Sequence, residues 1–232
     1  QTVILAKNKV GYHNLAKLAS KAYVEGFYYV PRIDKTLLLE HKEGLIVLTG
    51  GLWGEVPGLL LNVGETQAEE AFVWWKENFG TDFYAELNRH GLHEEDLVNA
   101  KLLELCAKYD VKYIAANNTY YTRQSQAEAH DILLCVKDAE NVSKPKKYIG
   151  KRGREFRYGF PNNEFYVKTP QEMKELFADL PEAFTTIQEI VDQVETYVLE
   201  RDVLLPKFDI PEEFMDPQDE GDGGCRGENN YL

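Results

Sequence analysis

The chain has 232 residues, 44% of them apolar, and 39 acids against 26 lysines and arginines give a net charge of −13. That length supports one sizeable core, and the acidity argues against a domain whose main surface grips a nucleic-acid backbone. No run of 18 apolar residues is present, and the first residues lack the charged start and apolar run of a signal peptide. In chain order, Val3-Ile4-Leu5-Ala6 reads as a strand already under way, with no initiator Met, so the sequence reads as a piece of something longer. Residues 12–23 repeat apolar groups at helical spacing. Leu45-Ile46-Val47-Leu48 is a buried strand ending at Gly50-Gly51. Residues 66–78 form a helix with Thr66 as N-cap, Glu69 completing a capping box and Gly80 closing it. Residues 83–87 are a strand. Residues 94–109 are a helix carrying Leu97, Leu102, Leu105 and Cys106 inward. Residues 113–116 are a strand and 124–137 a helix. This βαβαβα rhythm predicts parallel strands covered by helices, as an open sheet or a partial barrel.

After Ala139 the character changes. Residues 143–159 are loop-like and basic, with Lys144, Lys146, Lys147, Lys151, Arg152, Arg154 and Arg157 opposed in that stretch by Glu155 alone. Tyr148, Phe156 and Tyr158 interleave them. Thr169-Pro170-Gln171-Glu172 opens a helix with an N-cap Thr and Pro at the first position. Leu180-Pro181 breaks it, and residues 182–195 form the next. Residues 206–210 read as extended, and the acidic, Gly-rich 211–232 as a disordered linker. Cys106, Cys135 and Cys225 lie far apart with no CxxC pair, the pattern of free thiols in a reducing cytoplasm.

Several segments are specific in combination. They include Leu5-Ala6-Lys7-Asn8, Gly11-Tyr12-His13-Asn14-Leu15, Leu48-Thr49-Gly50-Gly51 and Gly54-Glu55-Val56-Pro57. Further along come Tyr84-Ala85-Glu86-Leu87, His90-Gly91, Ala116-Asn117-Asn118, Ala129-His130-Asp131, and the run from Phe165 to Met173. In this order, from Val3 to about Phe214, they resemble the PHP region of bacterial replicative DNA polymerase III alpha subunits. The resemblance implies an α/β fold: an incomplete, distorted (β/α)7 barrel with a C-terminal helical extension and an acidic tail. Residues 1–142 would be its later βα units, 143–168 a basic loop and connection, 169–210 a helical part leading toward the palm, and 211–232 the linker. The His-x-His start of the family would lie upstream of Gln1, and the palm with its catalytic aspartates downstream of Leu232.

In metal-binding members of that family, His, Asp, Glu and Cys ligands at strand ends hold divalent ions that activate water for phosphoester hydrolysis. Three of those positions fall here, at Gly51, Asn118 and Tyr120. Gly has no ligand atom, an Asn amide oxygen is neutral, and a phenol with pKa near ~10 stays protonated at neutral pH. The metal site therefore reads as degenerate: no metal and no catalytic residue is assigned. If strand alternation continues, Asn118 and Tyr120 share a face. Glu86, His90 and His130 are possible remnants of a site, against plainer roles as a Glu86–His90 hydrogen-bonded pair and a helix residue. His13, His41 and His93 flank exposed or loop positions. Of the adjacent Trp74 and Trp75, one should be core and one partly exposed. Lys144, Lys146, Lys147, Lys151, Arg152, Arg154 and Arg157 are the candidate nucleic-acid contacts, against a plainer reading as a solvated loop.

The resemblance implies a part in DNA replication within a DNA-directed DNA polymerase, a nucleotidyltransferase whose full-length form uses Mg. This stretch would be inactive alone and need no cofactor. It would act as scaffold and as docking site for the proofreading exonuclease subunit, meeting DNA and other replisome subunits through the full-length polymerase, with no membrane partner. The alternative is a metal-dependent phosphoesterase or 3′–5′ proofreading nuclease. A free-standing small-molecule enzyme would need an independent acid–base set, and no phosphate-loop, dinucleotide or nucleophile-elbow motif is present.

Overall fold

Four short strands built from Val, Ile, Leu, Ala and aromatic residues form the central sheet, in the order β1 (Val3–Ala6), β2 (Leu45–Leu48), β3 (Phe83–Asn88) and β4 (Tyr113–Ala116). The structure is a computed structural model and describes residues 1–150, 153–199, 210–219 and 224–232. It divides into two units, residues 1–196 and 197–232.

β2, β3 and β4 are parallel, with Val47 opposite Phe83 and Ala85 opposite Tyr113. β1 departs from the all-parallel expectation: it pairs antiparallel with β2, Val3 opposite Leu48 and Ala6 opposite Leu45. Two helices, α1 (Lys9–Val24) and α2 (Lys35–Glu40), connect β1 to β2, and β1 lies at the sheet edge, where an otherwise parallel sheet commonly carries an antiparallel strand. All four β2 residues are buried, whereas β1 leaves Val3 and Leu5 exposed, as inner and edge strands should. The result is a mixed α/β fold with a parallel-rich sheet.

Alternation along the strands feeds two cores. Leu45, Val47, Ala85 and Leu87 face α3 (Glu55–Asn62), α4 (Glu65–Phe79) and α5 (His93–Tyr109), and pack with Phe72, Trp75 and Leu102. Phe72 meets Phe83 edge to face at 5.2 Å. Ile46, Leu48, Tyr84 and Ile114 face the other way and are covered by Ile190 of α8 (Glu182–Gln193). Trp75 is core and Trp74 half-buried, with the Lys35 ammonium 4.1 Å above the Trp74 ring. Gly11 lets α1 approach the turn before β2, since a Cβ there would sit 2.0 Å from the Gly44 carbonyl oxygen.

Some helix ends differ from expectation. α4 starts one residue before Thr66: the Ala68 N–H bonds the Gly64 carbonyl at 3.2 Å, so Thr66 lies in the first turn and caps nothing. Gly80 closes α4 with φ +57°. Leu97 is 54% exposed rather than inward, because the inward positions of the first two turns of α5 belong to Val98 and to the polar Glu95 and Asn99. Residues 124–126 are a 3-10 turn leading into α6 (Ala127–Asp138). The box at α7 (Pro170–Leu176) is as predicted: Thr169 Oγ1 accepts from the Glu172 N–H, and Glu172 accepts from the Thr169 N–H at 2.7 Å. α8 stops at Gln193.

A second cluster of Leu92, Tyr121, Leu134, Tyr148, Phe160 and Phe165 lies beyond the strand ends. There β5 (Lys146–Lys147) and β6 (Arg157–Tyr158) form a two-stranded parallel ribbon. In residues 197–232 the segment read as linker carries a 3-10 turn, Glu212–Phe214, and a short helix, α9 (Arg226–Tyr231). Phe214 and Tyr231 meet edge to face at 5.2 Å, and the Gly227 N–H donates to Asp219. Residues 206–209, read as extended, lie outside the described residues.

Candidate functional site

The C-terminal ends of β2, β3 and β4 bring Thr49-Gly50-Gly51, Asn88-Arg89-His90 and Asn117-Asn118 to one end of the sheet, where α/β folds place their sites. The polar groups there bond mainly to one another. Thr49 Oγ1 accepts from the Glu86 N–H at 2.9 Å. Asn88 Nδ2 donates to Glu86 Oε1 at 2.9 Å, and Asn99 Nδ2 donates to the Asn88 carbonyl at 2.8 Å. Burial pushes the Glu86 carboxyl above its ordinary pKa, opposed by the Asn88 hydrogen bond. Asn88 Oδ1 is buried with no partner among the described residues.

Gly51 faces this network. A Cβ at position 51 would lie 3.4 Å from Asn88 Nδ2, in ordinary van der Waals contact with that amide. β4 ends at Ala116, two residues before Asn118, so the alternation that would put Asn118 and Tyr120 on one face does not continue. Instead, the Tyr120 N–H donates to the Phe165 carbonyl at 2.9 Å, and Tyr121 bridges Tyr166. The Tyr120 ring packs 4.4 Å from Phe160 and is 45% exposed. Asn117 is tied to the Tyr166 carbonyl at 3.0 Å. Among the described residues, no group of three or more His, Cys, Asp or Glu side chains is placed to hold a metal ion.

The expected Glu86–His90 pair does not form. Asn88 takes Glu86, and His90 pairs with Glu95, whose Oε1 lies 2.7 Å from His90 Nδ1 while Oε2 accepts the His90 N–H. The His90 ring is 1% exposed and stacks on Phe165 with centroids 4.4 Å apart and planes 2° from parallel. Its Nε2 has no partner among the described residues. Bracing by Glu95, Phe165 and the Asn162 amide, which donates to the His90 carbonyl, makes His90 a buried post under the strand-end loop. His41 stands in the turn that follows α2, half-buried, and its Nε2 has no partner among the described residues.

His130, on α6, faces Tyr121 and Phe160 at centroid distances of 5.4 and 5.3 Å. It lines a cavity of about 230 Å³ with Tyr121, Asp131, Lys146, Phe160 and Asn162. Burial depresses its pKa, and the neighbouring Asp131 opposes that. The basic loop is not the free charge it looks like in sequence. Arg157 is 3% exposed, and its guanidinium grips both Asp131 oxygens at 2.8 Å. Lys146 lies 3.4 Å from the same carboxylate, and Lys144 pairs with Glu140 at 2.7 Å. Lys147 lies over the Phe156 ring at 5.5 Å, and Arg154 is exposed. Lys151 and Arg152 lie outside the described residues. The counter-charges come from Asp131 on α6 and Glu140 just after it, both before the basic stretch, so Glu155 is not the sole opponent. Arg157 and Lys144 are thus each held in an ion pair within the fold. The Arg157 pair also holds Asp131 below the usual carboxylate range.

Sequence reasoning missed Glu95, Asn99 and Asp131. The available signal was a polar residue at an inward helical position, which a periodicity count treats as noise.

Residues 1–90 match the PHP domain family. Over 213 residues, 91% of the chain, the sequence is 39% identical to the DNA polymerase III subunit alpha of Borreliella burgdorferi, covering 18% of that protein. It is 38% identical over 213 residues to that of Treponema pallidum, covering 91% of the chain and 17% of the relative. With Thermus aquaticus the identity is 38% over 218 residues, covering 90% of the chain and 17% of the relative. This chain is a relative of the DNA polymerase III alpha subunits. The match to the PHP family lies in residues 1–90, and the chain spans under a fifth of the length of the curated relatives it matches. No helix among the described residues is long and apolar enough to cross a membrane.

Proposed function

We propose that this PHP region supports a DNA polymerase III alpha subunit without catalysing phosphoester hydrolysis, and docks the proofreading exonuclease subunit. The donor set at the strand ends carries this reading. Gly51 offers no ligand atom, Asn118 a neutral amide, Tyr120 a phenol packed on Phe160, and the nearby Glu86 is occupied by Asn88. These residues do not fit a cluster of divalent ions, which needs several anionic oxygens or imidazoles. In this reading the four strands are later units of a (β/α)7 barrel, and DNA and other replisome subunits are met through the whole polymerase. Mg then belongs to nucleotidyl transfer elsewhere in that polymerase.

A docking face is available on α6. Ile132, Leu133 and Val136 are 47, 62 and 73% exposed, while Leu134 and Cys135 on its other side are buried. Exposed apolar groups at helical spacing suit a partner helix or groove. In the full-length subunit, Leu133→Glu with Val136→Glu is expected to weaken exonuclease-subunit binding by at least about tenfold, as for loss of a central apolar anchor. Unchanged binding in a sedimentation or interferometry titration rejects the α6 site. Elemental analysis of the same protein tests the catalytic half: two or more tightly bound divalent ions attributable to the PHP region overturn it in favour of a metal-dependent phosphoesterase.

A further inference from the structure

We propose that the outward side of α1, with the loop that follows it, binds single-stranded nucleic acid; this does not rest on the docking reading above. Residues 1–24 contain Lys7, Lys9, Lys17 and Lys21 and no acid, in a chain of net charge −13. Lys7 is held by Asp82 at 2.6 Å. The other three, with His13, occupy positions 9, 13, 17 and 21, so successive groups rise about 6 Å along the helix. His13, Lys17 and Lys21 line one shallow groove of about 580 Å³ with Val10, Ala16 and Ser20. Among the described residues, Lys9, Lys17 and Lys21 form no ion pair. A row of uncompensated cations on an otherwise acidic molecule selects a polyanion.

Where the basic row ends, aromatic rings stand in solvent. Tyr23, Phe27, Tyr28 and Tyr29 are 65, 58, 63 and 82% exposed. Tyr23 stacks with Phe27 at 6.4 Å, and Tyr28 meets Tyr29 edge to face at 4.6 Å. Tyr29 has φ +60°, unusual for an aromatic residue, and the Tyr28 N–H bonds the Val30 carbonyl across it, which holds the tyrosines outward. Arg32 lies 4.9 Å above the Tyr28 ring. Rings of this kind are platforms for unpaired bases, which neither an acidic peptide nor a closed duplex offers. Glu25, Asp34 and Glu40 line the next depression with Lys21 and Arg32, so the phosphate track stops at Lys21.

The test is fluorescence anisotropy of a twenty-residue oligothymidylate with the full chain across a salt series. Three lysines predict a log–log salt slope of about −2 for a single strand. Lys9→Gln, Lys17→Gln and Lys21→Gln together should lower affinity at low salt by at least about tenfold and flatten the slope. The corresponding Arg triple should keep both. Tyr28→Ala with Tyr29→Ala should lower affinity by about tenfold with the slope unchanged, since stacking carries no charge. The proposal is overturned by absence of binding at low salt, or by a Gln triple that binds like the parent chain. Equal affinity for an abasic oligomer also overturns it, and points to an acidic protein partner instead.

Discussion

Two basic segments of this molecule invite the same guess and have opposite fates. The stretch 144–157 is dense in Lys and Arg, yet its Arg157 is buried against Asp131 and its Lys144 is spent on Glu140. The α1 segment is sparse, three lysines and a histidine four residues apart, and among the described residues those lysines form no ion pair, although Lys21 borders a depression that Glu25, Asp34 and Glu40 also line. Charge density in sequence is therefore a poor guide to charge available at a surface. What matters is whether the fold brings an acid from another element, and α6 does so for the loop.

The largest expected effect tests the structural half of that contrast. Asp131→Ala leaves the Arg157 guanidinium buried without its partner and should cost about 3 kcal/mol in a denaturant titration, while Lys17→Ala should stay within about 0.5 kcal/mol. Equal small effects would mean that the loop pair is no more structural than the helix row. Acid comes next. Asp131 and Asp179 have pKa values depressed by hydrogen bonds from Arg157 and Arg89, so their contribution is complete above the unfolded carboxylate value near ~3.9 and is lost as pH falls through the folded values. Stability should therefore drop below about pH 4, and Asp131→Asn should shrink that drop; an unchanged acid limb would show the pair to be idle. The smallest effect is a control: Lys144→Gln with Lys147→Gln should change oligonucleotide affinity by less than about twofold in the anisotropy titration. A loss matching that of the α1 triple would return the nucleic-acid surface to the loop.

Much of the fold was legible because its signals are local. β2 and β4, Gly80 as a helix stop, and the Thr169–Glu172 capping box all follow from patterns within a few residues. The reversal of β1 was not, since strand direction at a sheet edge is set by tertiary pairing with β2 and leaves no mark in the local pattern of Val3–Ala6. Gly51, Asn118 and Tyr120 were singled out through family resemblance, and their donor chemistry can be argued without coordinates. The partners of His90 and Arg157 were not, because Glu95 and Asp131 announce themselves only as acids on amphipathic helices. Pairing across 26 residues leaves no periodic trace.

The buried thiol of Cys106 has one practical consequence. Burial pushes its pKa up to about 12, so at neutral pH almost none of it is thiolate, the form that alkylating reagents attack. Cys135 is also buried, while Cys225 is exposed. A maleimide pulse should thus tag Cys225 at once and the other two only when the α5 and α6 packing opens. The slow phase of labelling becomes a clock for how often α5 and α6 come away from what they pack against.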